Sequence, residues 1–443
     1  MKRKRIGKAI CLFLALFMLC SMVFPSFAAD TEISAAYTAL KNPAGELIAV
    51  SKYGDTEHFP EQSAEGLLAA AEAGADMVYV TVRKTADGCI VLMTDENLSR
   101  MCVDALGNVV DKNIGDVGLH ELSEYHLRNS TGSLHEKITE YTVPTLVDAA
   151  KALSGKALLL VAGGWEFRDE IYDACSSENL LNSVVLLTSG DKKEVKNWIS
   201  EKPTMPLVLS AYHGNVVFSA KSVASKTLSG GAVGTLLSSS NPYGVVYGNS
   251  VLKEFSGKGR AAIDMTDPAL CGKREDNAIG WNDVTARGYS IIITDNITEL
   301  CEYRARVVQQ KERLSAALTS AQNVDVTLCS TQSANALKDA IAAGKAALAA
   351  PASENSLMQA NYSLRTAVEG LTNQSAAGEK GGATVTPGKV IAVILVVAAL
   401  ILLEVILETA RRKKNQRRKE KLARARKRAE RESERTNTDT RES

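Results

Sequence analysis

The sequence predicts an α/β protein built on a TIM-type (β/α)8 barrel, followed by a small all-α module and one transmembrane helix. Between Glu46 and Thr298, short apolar runs alternate with amphipathic helical stretches. Such alternation over about 250 residues is typical of a βα barrel rather than an open sheet. Beyond Ile297 only helical periodicity remains, and near the carboxyl end lies an apolar segment, Val390–Leu407, whose one charged residue is Glu404.

The barrel is predicted to cover residues 29–298, and its strands are short apolar runs bounded by glycine or polar residues. The strand candidates are Leu47–Ser51, Met77–Val82, Cys89–Met93, Ala157–Ala162, Ser183–Leu187, Pro206–Leu209, Gly244–Tyr247, Ala261–Met265 and Ser290–Thr294. Helical patterns between them lie at Glu61–Ala73, Thr145–Leu153, Phe167–Cys175 and Lys192–Glu201. Residues 99–141 interrupt the alternation, and we interpret them as an insertion.

A helical module is predicted over residues 299–372, because three apolar faces recur there at helical spacing. They are carried by Leu300, Tyr303, Val307, Leu314 and Leu318, then by Leu337, Ile341, Gly344 and Leu348, and finally by Leu357, Leu364, Val368 and Leu371. The module resembles the short FIVAR repeats of exported surface proteins. Residues 373–389 are rich in Gly, Ser, Ala and Thr, a composition typical of a flexible linker.

The amino terminus has the pattern of a secretory signal peptide, residues 1–28. Five basic residues precede and border an apolar stretch, Ala9–Val23. Small side chains at Ser26 and Ala28 fit the pocket of signal peptidase, so cleavage is predicted after Ala28. An uncleaved anchor helix is the alternative.

The second apolar segment predicts a transmembrane helix over residues 390–410. Its apolar core, Val390–Leu407, is close to the shortest length that spans about 30 Å of hydrocarbon. The tail, residues 411–443, holds 15 basic and 6 acidic residues, and a one-sided basic flank indicates the cytoplasmic side and argues against a buried core helix. The chain is therefore predicted to be a single-pass type I membrane protein with an extracellular amino-terminal part. The tail either binds anionic lipid headgroups or acts only as a stop-transfer anchor.

Charge and cysteine content exclude several classes of protein. The whole chain carries a formal charge of +1, but both ends are basic, so the large central part is acidic. This excludes a nucleic-acid binder with a basic face. Six cysteines follow the predicted signal at wide spacings without a CxxC pair, which argues against a zinc site. We predict no disulfide framework.

Six ordered motifs in the barrel region resemble the glycerophosphodiester phosphodiesterase family. They are Ser51-Lys52-Tyr53-Gly54 with Pro60-Glu61-Gln62-Ser63, Ala71-Glu72-Ala73-Gly74-Ala75-Asp76, Val82-Arg83-Lys84-Thr85-Ala86-Asp87-Gly88, Asp95-Glu96-Asn97-Leu98, Val143-Pro144-Thr145-Leu146, and Gly288-Tyr289-Ser290-Ile291-Ile292-Ile293-Thr294-Asp295. The resemblance covers about residues 47–300 and implies the barrel fold. It also implies a reaction that uses two histidines and a divalent cation held by carboxylates.

The residues that the resemblance assigns to this chemistry are mostly replaced here. The two histidine positions fall on Lys52 and Thr94, and the metal positions fall on Tyr79, Thr81 and Gly163. Of the family's usual set, Glu61 and Asp95 are retained. A lysine transfers protons poorly unless its pKa falls by several units, and uncharged hydroxyls do not replace carboxylates around a hard cation.

The leading hypothesis is therefore a cell-surface protein whose barrel has lost catalysis and acts as a binding or scaffold module, with no cofactor. Lys52, Glu61 and Asp95 are its candidate ligand-binding residues. A glycerol phosphate, a wall polymer or a protein is the expected partner, besides the membrane. Two alternatives remain open: an active phosphodiesterase that recruits His58 or His213 and a Ca²⁺ or Mg²⁺ ion, and a structural spacer. The histidines of the insertion, at positions 120, 126 and 135, lack a regular ligand spacing.

Overall fold

The computed structural model describes residues 34–202, 207–214, 220–349 and 351–371. Within these ranges the strands are β1 (Ile48–Lys52), β2 (Met77–Lys84), β3 (Ile90–Leu92), β4 (Cys102–Val103), β5 (His126–Leu127), β6 (Leu158–Ala162), β7 (Val184–Thr188), β8 (Leu207–His213), β9 (Gly234–Ser238), β10 (Arg260–Asp264) and β11 (Ile291–Thr294). The helices are α1 (Ala35–Lys41), α2 (Ala64–Ala73), α3 (Leu119–Leu122), α4 (Leu146–Leu153), α5 (Arg168–Ser177), α6 (Lys192–Glu201), α7 (Ala220–Thr227), α8 (Asn249–Phe255), α9 (Ala278–Arg287), α10 (Ile297–Gln322), α11 (Thr331–Ala347) and α12 (Glu354–Glu369).

Eight of the strands form a closed parallel barrel, which confirms the barrel part of the predicted fold class. Their order around the barrel is β1-β11-β10-β9-β8-β7-β6-β2, and β2 pairs with β1 to close it. The closing register joins Val50 to Met77 on one side and to Ile293 on the other. β3 continues the sheet as an antiparallel neighbour of β2. All eight strands therefore direct their carboxyl ends to one face of the barrel.

The apolar strands form because both of their faces are covered, by the barrel interior on one side and by the helices on the other. Leu159 and Val161 of β6 pack outward with helix residues, whereas Leu158 and Leu160 pack into the barrel interior. Helix α2 begins at Ser63, whose hydroxyl accepts from the Gly66 amide. This helix lies directly after the Pro60-Glu61-Gln62 segment, which it therefore holds at the mouth.

One predicted strand is wrong. Residues 244–247 were expected to form a strand, but Val245–Tyr247 is a 3-10 turn, and the sixth barrel strand is β9. Val246 and Tyr247 are buried beneath the helical layer, which accounts for the apolar run in the sequence. The Tyr247 hydroxyl donates to the Leu270 carbonyl. A short buried run of this kind has the same composition in a turn as in a strand.

The insertion has an apolar core of its own, separate from those of the barrel. It includes Leu98, Met101, Val117 and Leu122, with the short antiparallel pair β4–β5 at its centre. It also packs against Val91 of β3. The insertion is thus a compact layer above the carboxyl end of β2, beside the barrel mouth.

Helix α10 runs without a break across residue 298, where the sequence separated barrel from module. Its first turns bury Leu300, Tyr303 and Val307 in the outer core of the barrel. Its later turns carry Leu314 and Leu318, which lie against Gly344 of α11. The helical module therefore shares its first helix with the barrel.

The predicted signal peptide, linker, transmembrane helix and cytoplasmic tail lie outside the described residues. Among the residues that are described, no helix is both long enough and apolar enough to cross a membrane. In the described part of the chain, no disulfide joins the cysteines at positions 89, 102, 175, 271, 301 and 329.

Candidate functional site

The candidate site lies at the face where the barrel strands end, and Lys52 is the last residue of β1. Its ammonium group donates to Asp264 Oδ2 at 2.9 Å and to Thr266 Oγ1 at 2.6 Å. Asp264 ends β10, two strands away around the barrel. The lysine at the first histidine position is therefore held in an ion pair across the mouth.

The surroundings of Lys52 keep it charged. Burial lowers its pKa, but the charge of Asp264 and the hydrogen bond to it outweigh burial and raise the pKa above its usual value. The ammonium also lies 5.7 Å and 5.9 Å from the ring centres of Tyr53 and Tyr79, a distance at which a cation is attracted to an aromatic face. Lys52 is thus a fixed cation and holds no free electron pair that accepts a proton.

The second histidine position, Thr94, lies beside the retained carboxylate Glu61. The Thr94 hydroxyl donates to Glu61 Oε1 and accepts from Gln62 Nε2 at 2.8 Å. Gln62 in turn accepts from the Thr81 amide at 2.6 Å. This chain of hydrogen bonds ties the loop after β1 to β2 and to the loop after β3.

Both retained carboxylates bind Arg100, a residue at the start of the insertion. Its Nη1 and Nη2 donate to Glu61 at 3.0 Å and 3.1 Å, and its Nε donates to Asp95. Nη1 also donates to the Thr131 carbonyl. Burial lowers the Arg100 pKa, but the two carboxylates outweigh it and raise the pKa above its ordinary value. Glu61 and Asp95 therefore meet an internal cation.

The divalent cation that the family resemblance implies does not fit these residues. Tyr79 and Thr81 offer only hydroxyl groups, and burial raises the pKa of Tyr79, which keeps its phenol neutral. Gly163 directly follows β6, the third strand of the barrel, with φ at 71°, a left-handed conformation that disfavours a carboxylate residue there. Within the described part of the chain, no group of three or more His, Cys, Asp or Glu side chains is placed to hold a metal ion.

Carboxylates gather on the opposite side of Lys52. Asp276 accepts from Trp281 Nε1 and from the Thr294 hydroxyl, both at 2.8 Å, and from the Asp295 amide at 3.0 Å. Burial raises the pKa of Asp295 to about 6, Lys52 opposes the shift, and the charges of Asp276 and Asp264 add to it. This side of the mouth is therefore electronegative at neutral pH.

These carboxylates border an open cavity of about 580 Å³ beside β10 and β11. Its lining combines apolar and charged side chains: Met265, Thr266, Pro268, Ala269, Lys273, Arg274, Glu275, Asp276, Asp295 and Asn296. Arg274 is held by Asp283 at 2.6 Å and lies over the Tyr247 ring. The cavity is large enough for a small polar molecule.

Replacing Asp295 with asparagine should stabilise the protein at high pH. Because folding raises the pKa of Asp295 from 3.8 to about 6, the folded state loses stability from this group as pH rises from about 4 to 6, and the loss is constant at higher pH. Asp295 is desolvated on the side that faces the neighbouring carboxylates but keeps part of its surface open to water, so solvent screening limits the gain in Asp295→Asn to about 1 kcal/mol at pH 8, falling toward zero near pH 4. Denaturant unfolding at both pH values measures this, and an equal effect at both contradicts the expectation.

The two histidines considered as substitutes lie at the edge of the mouth. His58 Nδ1 lies 2.9 Å from Asp55 Oδ2, and its side chain is 64% exposed. His213, the last residue of β8, has its Nδ1 3.1 Å from Ser238 Oγ. The strand order places β8 diametrically opposite β1. The structure therefore brings Lys52, Glu61, Thr94 and Asp95 into one region and leaves His213 across the barrel from it.

A parallel βα barrel with its polar groups at the carboxyl ends of the strands defines the class of this domain. Within that class, the model of the Glycerophosphoryl diester phosphodiesterase family matches residues 54–196. This segment therefore carries a domain of that family. No curated protein matches the chain.

Three solved structures that are similar to part of this chain come from bacteria. A glycerophosphodiester phosphodiesterase from Agrobacterium tumefaciens is 14% identical, and the match covers 58% of this chain and 99% of that one with a TM-score of 0.44. A glycerophosphoryl diester phosphodiesterase from Parabacteroides distasonis is 16% identical, with 60% and 89% covered and a TM-score of 0.45. An Oleispira antarctica phosphodiesterase in complex with the product sn-glycerol-3-phosphate is 16% identical, with 60% and 98% covered and a TM-score of 0.43.

Sequence reasoning missed the partners of the predicted site residues. Asp264 had a usable signal, since it ends a predicted strand, and polar residues at strand ends point into a barrel mouth. Arg100 had none, because it lies in an insertion without a motif. Its position depends on the fold of the insertion above β2.

Proposed function

We propose that this chain is a single-pass cell-surface protein whose glycerophosphodiester phosphodiesterase-like barrel binds a ligand without hydrolysing it. One observation carries the proposal: the polar groups at the two histidine positions are engaged inside the protein. Lys52 is paired with Asp264, and Thr94 donates to Glu61, which Arg100 neutralises. Neither position offers a group that exchanges a proton near neutral pH, as general acid–base catalysis requires.

The proposed ligand is a small molecule that carries a glycerol phosphate unit. Lys52 has three N–H donors, of which two bond to Asp264 and Thr266, so one donor is left for a phosphate oxygen. Asp295 and Asn296 at the neighbouring cavity can accept from and donate to hydroxyl groups. The carboxylates around the cavity repel a long polyanion, so a wall polymer should bind more weakly than a single unit.

The proposal places the barrel outside the cell, anchored by residues 390–410, with the basic tail in the cytoplasm and the FIVAR-like module between barrel and membrane. Support comes from the signal-like residues 1–28 and from the one-sided basic flank of the second apolar segment. Reaction of residues in the barrel and in the tail with an impermeant amine reagent on intact cells tests this topology. Labelling of the tail before lysis contradicts it.

Hydrolysis assays on the full-length protein test the loss of catalysis. With glycerophosphocholine and millimolar Ca²⁺, Mg²⁺ or Mn²⁺, we expect turnover no higher than that of a Glu61→Gln variant. The reason is that both proton-transfer groups and most metal ligands of the family are replaced. Metal-dependent turnover that disappears in Glu61→Gln would establish an active phosphodiesterase instead.

Thermal unfolding of the same protein with added ligands separates a binding module from a spacer. A ligand at 100 times its dissociation constant adds about 2.7 kcal/mol to the free energy of unfolding. We expect sn-glycerol-3-phosphate to raise the unfolding temperature, glycerol to have little effect, and Lys52→Met to abolish the response. If no phosphate compound stabilises the protein, the barrel is a spacer that presents the helical module.

A further inference from the structure

The inference concerns Arg83, which lies near the carboxyl end of β2. Side chains alternate between the two faces of a strand. Val80 and Val82 pack outward against the helices, whereas Met77 packs into the barrel interior. Thr81 and Arg83 share the face of Met77, and they follow it toward the carboxyl end of the strand. Both side chains therefore belong to the wall of the mouth.

Arg83 differs from Lys52 and Arg100 in that no carboxylate neutralises it. Those two cations are each held by carboxylates of the chain. Within the described residues, the side chain of Arg83 forms one hydrogen bond, from Nη2 to the Thr94 carbonyl at 2.6 Å, and no ion pair. Its Nε is buried without a partner. A partly buried guanidinium of this kind has lost hydration without gaining a counter-charge. Arg83 therefore brings an uncompensated positive charge to the mouth.

Gly163 leaves one side of this guanidinium accessible. It follows β6, the strand that pairs with β2, and it is exposed. A Cβ atom at this position would lie 3.8 Å from Arg83 Nη1 and 3.4 Å from Thr81 Cγ2. A longer side chain would consequently extend over both residues. Because position 163 is a glycine, a ligand atom can approach Nη1 from solvent.

Thr81 offers a second donor beside Arg83. Its backbone is fixed, since the Thr81 amide donates to Gln62 Oε1 at 2.6 Å. Its hydroxyl has no hydrogen-bond partner in the part of the chain that the structure describes, and its side chain is partly exposed. A guanidinium and a separate hydroxyl suit an anion that presents several oxygens in different directions. A phosphate group meets this requirement better than a carboxylate, which has two oxygens in one plane.

We infer that Arg83 and Thr81 bind the phosphate group of the ligand, together with the free donor of Lys52. The inference rests on the proposed function, in which the barrel binds a glycerol phosphate, and it identifies the side of the mouth where the phosphate lies. Lys52 Nζ lies 5.9 Å from the ring centre of Tyr79, the inward-facing residue before Thr81, so both cations border the same strand. Since Asp264 already neutralises Lys52, Arg83 supplies the net charge that attracts the phosphate.

Replacing Arg83 with glutamine should weaken phosphate binding about tenfold or more, because a charge-assisted contact is lost. Thermal unfolding of the full-length protein measures this in increasing sn-glycerol-3-phosphate or inorganic phosphate. Sodium chloride at equal ionic strength controls for screening, and sodium acetate tests a carboxylate. Arg83→Lys should fall between the wild type and Arg83→Gln, since lysine keeps the charge but lacks the planar donor fork.

Arg313 of α10 provides the matched control. It is also a partly exposed arginine with a buried Nε that lacks a partner, but it lies in the later turns of α10, away from the mouth. Arg313→Gln should bind both phosphate compounds as the wild type does. A loss equal to that of Arg83→Gln would show that the effect depends on overall charge and not on the mouth.

Stability without ligand separates a binding role from a structural one. Because no carboxylate loses its partner, Arg83→Gln should unfold at the temperature of the wild type or above it. Lys52→Met should unfold at a lower temperature, since it leaves Asp264 without its cation. If Arg83→Gln without ligand is destabilised as much as Lys52→Met, Arg83 holds the fold and the inference is overturned.

Two substitutions of Gly163 test the same position while Arg83 stays in place. Gly163→Asp puts a carboxylate beside Nη1, and Gly163→Asn puts an amide of the same shape there. Both variants carry the same backbone cost, since φ is 71° at this position. The aspartate should pair with Arg83 and suppress phosphate binding, whereas the asparagine variant should retain more of it. Equal losses in the two variants contradict a role for the charge of Arg83.

The remaining outcomes distinguish this inference from the proposed function. If the wild type and Arg83→Gln respond equally to phosphate compounds while Lys52→Met does not, the inference fails and the proposed function stands. If acetate stabilises the wild type as much as phosphate does, the assignment to a phosphate group fails. If no phosphate compound stabilises the wild type, both are rejected. Should Arg83→Gln fail to fold, the two Gly163 variants decide the inference.

Discussion

Replacing Arg260 with methionine should lower the free energy of unfolding by about 3 kcal/mol or more. The guanidinium is fully buried at the amino-terminal end of β10. It donates to the carbonyls of Ala39, Asn42 and Glu46 at 2.8 Å, 3.0 Å and 2.8 Å. Methionine fills the space of the arginine stem but removes these three hydrogen bonds, after which the Ala39 and Asn42 carbonyls keep only the backbone amides of Asn42 and Gly45 as donors.

Denaturant unfolding of the full-length protein measures this effect, and limited proteolysis locates it. Arg260 links the α1 segment to the amino-terminal face of the barrel, so cleavage near α1 should accelerate in Arg260→Met. Burial lowers the pKa of Arg260 to about 10, which still leaves the side chain charged at neutral pH. Arg365→Met, at an exposed ion pair, should change stability by less than about 0.5 kcal/mol. A loss below about 1 kcal/mol in Arg260→Met would show that water replaces the missing donor.

Replacing Tyr303 with alanine should destabilise the protein by about 3–5 kcal/mol. Tyr303 lies in the first turns of α10, is fully buried, and packs with its ring centre 6.0 Å from that of Trp281 in α9. Its hydroxyl oxygen is 3.0 Å from Thr285 Oγ1. Alanine leaves a cavity where the barrel, α9 and α10 meet, so the loss should affect the barrel as well as the module.

Trp281 fluorescence reports whether the barrel itself responds. Tyr303→Phe is the matched control, because it keeps the ring and removes only the hydroxyl, and it should cost about 1 kcal/mol. If Tyr303→Ala lowers stability by less than about 1 kcal/mol, or unfolds the module while Trp281 keeps its native signal, then α10 is an appended helix and not the last helix of the barrel.

The mouth of this barrel contains two fixed cations that are paired inside the protein. Lys52 and Arg100 supply two permanent positive charges, each neutralised by carboxylates of the same chain. Fixed ion pairs of this kind position side chains without supplying a group that gains and loses a proton near neutral pH. This arrangement supports the proposal that the barrel binds a ligand without hydrolysing it. The hydrolysis assay tests the loss of catalysis, and the thermal unfolding assay tests ligand binding.

The strand pattern was predictable because a strand that is buried on both faces must consist mainly of apolar residues. β2, β6 and β11 are nearly continuous apolar runs, as covered parallel strands require, and each was predicted within two residues at both ends. β9 was missed since Gly234 and Thr235 dilute its apolar pattern. The packing of Gly234 against the Arg260 backbone explains that glycine, but this contact exists only after the barrel closes.

The helical module was predictable for a similar reason, but the way in which it packs against the barrel was not. The apolar positions of α10, α11 and α12 recur at helical spacing, so the sequence indicates three helices and their buried faces. It contains no signal for what those faces contact. Leu300 and Leu314 have the same pattern, yet one packs on the barrel and the other within the module.

Taken alone, the sequence determined the barrel class and the order of the motifs, and it predicted Lys52 and Thr94 at the two histidine positions of the family. Local composition and motif spacing carry this information. Only the tertiary structure decided which charges the predicted site residues meet: Asp264 for Lys52, and Arg100 for the retained Glu61 and Asp95. These partners are separated by 212, 39 and 5 positions, and the two longer separations are bridged because the closed barrel and its insertion bring distant strand ends to one face.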